Sequence, residues 1–128
     1  MAGLDITPKV PAGRTLIQGY GGGGFRINGI TVAGSHLVFP GGSERWHVDH
    51  VDALTPESLH AVTDRADTVR ILLIGCGRTG VPPRPAIAEA LRAHGVVAEW
   101  MDTGAACRTF NVLVGEDRPV AAALIAID

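Results

Sequence analysis

The stretch "ILLIGCGRTG", residues 71 to 80, decides how the second half of the chain folds. Residues 69 to 75 show no alternation of apolar and polar side chains, which predicts a strand covered on both faces. The glycines that follow, Gly75-x-Gly77-x-x-Gly80, have the spacing of a dinucleotide-binding fingerprint. The stretch therefore predicts a buried strand of an α/β sheet, and its glycines raise the question of a nucleotide site.

Two prolines argue against a nucleotide at this turn. In the fingerprint, a helix begins within the glycine motif and its free N–H groups hold the pyrophosphate. Here Pro82 and Pro83 follow the third glycine, where they remove donors and push the preceding residues away from helical geometry. We therefore predict a helix that begins near Pro85, too late to hold a phosphate, and no cofactor.

The flanking sequence predicts helices and strands in alternation, which favours a mainly parallel sheet with helices packed against it. Thr55 is a candidate cap for a first helix. A second helix is predicted from about residue 85 to 94. Strands are predicted at residues 96–102 and 119–127, so the second half has the order α-β-α-β-α-β.

A third helix lies between these last two strands, with Asp102 or Thr103 as its cap. Cys107 and Phe110 fall on one apolar stripe of this helix, which predicts a buried thiol that packs like a small hydrophobic residue. The alternative is a functional thiol, because a neighbouring Arg108 and a nearby helix start both favour the thiolate. Arg108 itself is predicted to pair with Asp102, or else to contact an anion or a partner.

The first forty residues predict antiparallel β-structure. Strands are expected at residues 15–20 and 35–39, and Asn28-Gly29 is a favoured pair for a tight hairpin turn between two apolar runs. The "GGGG" stretch at 21–24 lacks the Gly-Lys-Ser/Thr ending of a phosphate loop. It is predicted to be a mobile or tightly bent loop.

The composition fits one globular domain and excludes several classes of protein. The chain has 128 residues and a net charge of −2 with no dense Lys/Arg cluster, which argues against nucleic acid or an anionic membrane as a partner. Its two cysteines are too few for a disulfide framework. No apolar run approaches the ~20 residues that cross a bilayer, and no secretory signal or transit peptide is visible. We predict a loosely held arm over residues 1–13, one domain over 14–128, no transmembrane segment and a cytoplasmic location.

One further polar cluster offers metal-type ligands. The segment "WHVDHVD", residues 46 to 52, contains two histidines and two aspartates. No third histidine or cysteine is fixed nearby by the sequence. An exposed polar connection is the preferred interpretation, a metal site is the alternative, and no metal is predicted.

Four blocks of the sequence carry a family resemblance, and they occur in the family's order. They are "IQGYGGGGFRINGITVAGSHLVFP", "LTPESL", "LLIGCG" and "MDTGAACRTFNVLVGEDRPVAAALIAI". The chain resembles, over about residues 14 to 127, a small-domain family of unknown biochemical function. That family includes the mitochondrial respiratory complex I assembly factor 3 and uncharacterised bacterial proteins.

The resemblance implies a fold and a role. The fold is α/β (mixed α+β), a three-layer β+α/β/α arrangement around a central mixed sheet with an N-terminal β-hairpin. One strand of that sheet runs antiparallel to the rest, and residues 119–127 are the candidate for it. The implied role is binding or assembly, with no established catalytic mechanism or cofactor. Since no transit peptide is visible, the chain looks like a bacterial relative.

Three hypotheses about function follow. The leading one is a non-enzymatic interaction protein that helps a respiratory complex to assemble through a protein partner. The second is a small-molecule site or an enzyme with a pocket at strand ends near Gly75–Gly80 and Asp102–Arg108, because ligands favour the carboxyl ends of parallel strands. The third is a homo-oligomeric scaffold that uses the hairpin edge. No catalytic residue is assigned; the candidate pocket or partner contacts are Gly75, Gly77, Arg78, Asp102, Thr103, Cys107, Arg108 and Asn111.

Overall fold

The computed structural model describes residues 4–5 and 13–128. The predicted arm at residues 1–13 therefore lies mostly outside the described residues. The part of it that is described includes a two-residue strand, β1. A single domain over residues 14–128 stays a prediction.

The N-terminal part forms an antiparallel four-stranded sheet with the order β1-β2-β3-β4. Its strands are β1 (Leu4–Asp5), β2 (Ile17–Gly21), β3 (Gly24–Ile27) and β4 (Ile30–Ala33). Asn28 and Gly29 have φ values of 49° and 81°, which confirms the predicted tight turn between β3 and β4. The "GGGG" stretch is the tightly bent alternative, because Gly22 and Gly23 turn the chain with φ values of 62° and 79°. Its outer two glycines belong to strands β2 and β3.

The second sheet has five strands in the order β6-β5-β9-β7-β8. They are β5 (His36–Phe39), β6 (Gly42–Arg45), β7 (Ile71–Gly75), β8 (Val97–Met101) and β9 (Val120–Leu124). Strand β7 is parallel to both β8 and β9, whereas β5 is antiparallel to both β6 and β9. The prediction that residues 119–127 form the antiparallel strand is wrong. The helix at Thr103–Gly115 connects β8 to β9, and such a crossover makes β9 parallel to β7 and β8. The antiparallel strand is β5, which runs opposite to β6 and β9.

The helices lie where the sequence places them, but the first is shorter than its pattern indicates. They are α1 (His60–Thr63), α2 (Pro85–Arg92) and α3 (Thr103–Gly115), with 3₁₀ turns at Val51–Ala53 and Glu57–Leu59. Thr55 and Ser58 exchange two hydrogen bonds of 3.1 Å between side-chain oxygen and backbone N–H, so Thr55 does cap the turn that leads into α1. Helix α2 begins at Pro85 as predicted, and Gly95 follows its end with a φ of 79°.

The five-stranded sheet separates two hydrophobic clusters, which confirms the three-layer β+α/β/α fold. Leu72 and Ile74 of β7 point into a cluster with residues of α1, α2 and the loops that precede them. Leu73, between them in sequence, points to the other face, where it joins Phe110 of α3 and Phe25 of the four-stranded sheet. Because β7 is buried on both faces, its lack of alternation is explained. The layers are α1 and α2, then the five-stranded sheet, then α3 with the four-stranded sheet.

Candidate functional site

The turn after β7 packs tightly against the start of α3. A Cβ at position 75 would lie 3.0 Å from the Cα of Thr103, so only glycine allows this approach without a shift. Gly77 has a φ of 104°, in the region that glycine tolerates best. Its carbonyl accepts a 2.9 Å hydrogen bond from the Thr103 backbone N–H. The two glycines of the predicted site therefore serve the join between β7 and α3.

Thr103 is the centre of this join. Its side chain is fully buried, and its hydroxyl donates to the Ile125 carbonyl at 2.7 Å. The same hydroxyl accepts from the Gly77 N–H at 2.9 Å. Asp102, next to it, caps α3 by accepting from the Ala105 N–H at 2.9 Å, which settles the choice between the two predicted caps. These polar groups hold the carboxyl ends of β7 and β9 to the start of α3.

Asn111 joins α3 to the other sheet. Its buried amide accepts from the Ile17 N–H at 3.0 Å and donates to the Ile17 carbonyl at 2.7 Å. These bonds satisfy backbone groups of β2 that face a helix rather than a neighbouring strand. The amide of Asn111 thus acts as a clamp between α3 and the four-stranded sheet.

Arg108 contacts the four-stranded sheet rather than Asp102. Its guanidinium donates to the Tyr20 hydroxyl at 2.8 Å, and the described residues show no ion pair between Arg108 and Asp102. Tyr20 in turn covers Gly104, where a Cβ would lie 2.6 Å from the tyrosine oxygen. The predicted tie between strand end and helix is therefore replaced by a tie between α3 and β2.

The two cysteines differ in depth, and neither environment favours a thiolate. Cys107 is fully buried, and burial raises the pKa of its thiol far above the ordinary value of 9.0, although the charge of Arg108 acts in the opposite direction. Cys76 is 7% exposed, and burial again raises the pKa of its thiol. Backbone hydrogen bonds and the charge of Arg84 partly oppose that rise. Both thiols therefore remain protonated near neutral pH, which makes them poor nucleophiles.

A cleft of about 450 Å³ opens beside the carboxyl ends of β7 and β9. It takes Gly77 and Arg78 from the predicted set, whereas the other predicted site residues do not line it. The rest of its wall is formed by residues 49–51, which the sequence indicated only as part of a polar connection, and by residues 125–128, which it did not indicate. The C-terminal segment carried no polar signal apart from Asp128, whose carboxylate lies 4.0 Å from the Arg78 guanidinium.

The segment at residues 46–52 contributes to that wall; its histidines and aspartates are exposed as predicted, whereas Trp46, Val48 and Val51 are buried. Its two histidines are solvent-exposed, and His50 accepts through Nδ1 from the Asp52 N–H at 3.1 Å. Arg84 donates to the Asp52 carboxylate at 3.1 Å and to the Val51 carbonyl at 3.0 Å. These contacts fasten the connection to the start of α2. Within the described part of the chain, no three His, Cys, Asp or Glu side chains converge in the manner of metal ligands.

The sequence is similar to those of several known proteins. The chain is 34% identical over 122 residues to "NADH dehydrogenase [ubiquinone] 1 alpha subcomplex assembly factor 3" of Danio rerio, covering 95% of this chain and 70% of that protein. The chain spans between 58% and 70% of the length of the animal proteins with that name that it matches. An uncharacterised protein of Rhodobacter capsulatus is 36% identical, with 94% of this chain and 93% of that protein covered.

A solved structure agrees with the fold. A protein from Bartonella henselae, described as an outer membrane protein, superposes with a TM-score of 0.84 at 36% identity, covering 91% of this chain and 98% of the other. Among the described residues of the present chain, no helix is both long and apolar enough to cross a membrane. The model of one family, "Protein of unknown function (DUF498/DUF598)", matches residues 17–125, from the first residue of β2 to just beyond β9. The chain therefore belongs to the family described as Protein of unknown function (DUF498/DUF598).

Proposed function

We propose that the chain is a non-enzymatic binding protein that assists assembly of a respiratory NADH dehydrogenase complex. The observation that carries this proposal is the 34% identity to an assembly factor over 95% of the chain. Such coverage includes most of both sheets and helices α1, α2 and α3. The proposed partners are protein components of that complex.

The geometry of the predicted site supports a binding role over catalysis. The polar groups of Thr103 and Asn111 bond to buried backbone atoms, and the Cys107 side chain is buried on the inner face of α3. These groups are occupied in holding the layers together. A substrate that used them would have to replace hydrogen bonds on which the fold depends.

Three exposed apolar side chains mark surfaces at which a partner can be tested. Ile30 is 65% exposed on β4, Val97 is 57% exposed at the start of the edge strand β8, and Val112 is 57% exposed on α3. Single exposed hydrophobic residues are ordinary on protein surfaces. Because each lies on a different element, substituting them one at a time shows which surface a partner contacts.

The test is recovery of NADH dehydrogenase subunits by the tagged chain from actively respiring cells. We expect enrichment over untagged cells, and we expect one of Ile30→Lys, Val97→Lys or Val112→Lys to abolish it, because a buried lysine at an interface is costly. His94→Lys, at an exposed position after α2, is the matched control. Enrichment no greater than in untagged cells, together with unchanged NADH dehydrogenase assembly after deletion of the gene, would contradict the proposal.

A second candidate function is small-molecule binding, or an activity, at the carboxyl ends of the strands. The cleft of about 450 Å³ favours it, since its volume falls in the range of ligand pockets and Arg78 supplies a cation at its wall. A thermal-shift screen of metabolites tests this directly. A ligand of this cleft should stabilise the wild type and lose its effect in Arg78→Gln but not in Arg92→Gln.

We also propose a cytoplasmic location and a bacterial source. Two free, buried cysteines suit a reducing compartment. A homo-oligomer through the hairpin edge is the remaining alternative for the partner. Sedimentation of the purified chain separates these cases, because a partner-binding monomer and a self-associating scaffold differ in mass.

A further inference from the structure

A second and larger cavity lies at the opposite end of the five-stranded sheet. Its volume is about 670 Å³, within the range of small-molecule sites. Four parts of the chain meet there: Arg14 before β2, the β5–β6 hairpin, the residues that lead into β7, and the residues that lead into β9. This is the amino end of the parallel strands, so the cavity is separate from the cleft described above.

Arginine dominates the polar lining of this cavity. Arg14, Arg65 and Arg118 all line it, against two carboxylates, Glu44 and Asp117. Arg14 pairs with Asp117, and Arg65 pairs with Glu44 at 3.0 Å. The described residues offer no ion-pair partner to Arg118. The cavity thus carries one positive charge in excess, in a chain whose net charge is −2.

Arg65 is held in place before any ligand arrives. Its guanidinium carbon lies 4.0 Å from the centroid of the Phe39 ring, and it donates to the Ala61 carbonyl at 2.8 Å. It also donates to Glu44 at 3.0 Å. A guanidinium has five N–H donors, so donors remain after these contacts. Because the Arg65 side chain is already ordered, binding of a ligand costs less side-chain conformational entropy.

Apolar residues also line the cavity. Phe39 and Val69 are buried, Pro40 is half-buried, and Pro119 is exposed. Because the arginines of the cavity are partly exposed, solvent and ions screen them, and the attraction for an anion depends on direct hydrogen bonds from the guanidinium groups. Arginine binds the planar or tetrahedral oxygens of carboxylate and phosphate in a bidentate manner.

We propose that this cavity is a binding site for a small oxyanion, a phosphate or carboxylate group, held between Arg118 and Arg65. The anion takes the donors that the two ion pairs leave unused, and Glu44 and Asp117 compete with it for the guanidinium groups. The site is independent of the assembly role and of the strand-end cleft. Sequence reasoning did not single out these residues, because Arg118 lies 53 positions after Arg65 along the chain.

The test is an NMR titration of the purified chain, following the backbone amides of Gly41, Gly42 and Thr68 in the cavity wall. The probes are inorganic phosphate and, separately, acetate, at fixed pH and ionic strength. We expect saturable shifts with at least one probe, weakened about tenfold in Arg118→Gln, since a charge-assisted hydrogen bond is lost. Saturation by phosphate alone assigns the site to phosphate groups, and saturation by acetate alone assigns it to carboxylates.

Two controls make the outcome decisive. Arg92→Gln removes an exposed arginine at the end of α2 and should leave the affinity unchanged. Glu44→Gln removes a competing carboxylate and should tighten binding. Shifts that grow linearly without saturation for both probes, or an equal response of Arg118→Gln and Arg92→Gln, would overturn the proposal.

Discussion

The two ends of the five-stranded sheet use their polar groups in different ways. At the carboxyl end, the Thr103 hydroxyl makes two buried hydrogen bonds, to Ile125 and Gly77, with no charge involved. At the amino end, Arg65 and Glu44 form an ion pair in which both side chains are almost half exposed, at 44% and 45%. The join of β7 to α3 is thus made by buried neutral hydrogen bonds, whereas the segments at the amino end are joined by exposed ion pairs.

This difference shows where stability and exchangeable contacts reside. Removing one partner of a buried hydrogen bond leaves the other unsatisfied, which costs far more than the bond contributes on balance. An exposed ion pair contributes about 0–1 kcal/mol and can trade one partner for another at little cost. The carboxyl end is where α/β folds commonly bind ligands, but here the Thr103 hydroxyl stabilises the fold instead. The amino end keeps groups that an anion can recruit.

The substitution expected to change the free energy of unfolding most is Thr103→Val, at the carboxyl end. The substitution keeps the shape but leaves the Gly77 N–H and the Ile125 carbonyl without their partner. We expect a loss of about 2–4 kcal/mol in the free energy of unfolding, measured by urea titration. Thr103→Ser retains the hydroxyl and should lose much less, whereas an equal loss in both variants would show that the methyl group, not the hydrogen bonds, holds this end.

Local sequence signals explain which parts of the fold could be predicted. The apolar β7, the Asn28-Gly29 turn and the start of α2 at Pro85 depend on neighbouring residues and were predictable. Strand β6 was not, because its residues are polar and exposed, as an edge strand allows. Residues 119–127, the candidate for the antiparallel strand, are parallel to β7 and that strand is β5, because strand direction depends on how the whole sheet is connected.

A second test compares the stability effect of an alanine substitution at one glycine from each end of the sheet. A methyl group at Gly75 would press on the backbone of Thr103 at 3.0 Å, so Gly75→Ala should destabilise the chain by about 1–3 kcal/mol. At the amino end, Gly42 has open space around its Cβ position. Gly42→Ala should leave stability unchanged or raise it by about 0.4–1 kcal/mol, because alanine restricts the unfolded chain. Urea titration of both variants measures this, and equal destabilisation would contradict the difference in packing.

The candidate site was harder to predict than the fold because its contacts are distant in sequence. Thr103 was identified as a cap or pocket residue, yet its hydroxyl meets partners 22 and 26 residues away. Asn111 bonds to a residue 94 positions earlier. Nothing in the local sequence indicates such partners. The sequence identified these residues as polar groups at strand and helix ends. Only the structure shows that their side chains are hydrogen-bonded to backbone atoms.

A third test uses pH and concerns the layer beneath α3. Burial raises the pKa of Cys107 in the folded chain above its ordinary value of 9.0, so the unfolded chain loses this proton first as pH rises. Folding stability should therefore fall above about pH 9, with a slope of up to about 1.4 kcal/mol per pH unit from this group. Cys107→Ala should remove that contribution to the slope, as measured by urea titrations between pH 8 and 10.5.

The control for this pH effect is the shallower thiol. Cys76→Ala should change the slope less, because burial of Cys76 is partly offset by backbone hydrogen bonds and the charge of Arg84. Reaction of the native chain with a thiol reagent gives an independent readout. Labelling of Cys107 at the rate of a free thiol would contradict its burial.

The smallest effect should come from the exposed ion pairs at the amino end. Glu44→Gln and Asp117→Asn each remove one carboxylate from a pair whose members are between 36% and 68% exposed. We expect each to lower the free energy of unfolding by less than about 1 kcal/mol, and by less still at high salt, because solvent and ions screen such pairs. Urea titrations at low and high ionic strength measure both quantities. A loss as large as that of Thr103→Val would mean that these pairs lock the amino end, and the contrast between the two ends would fail.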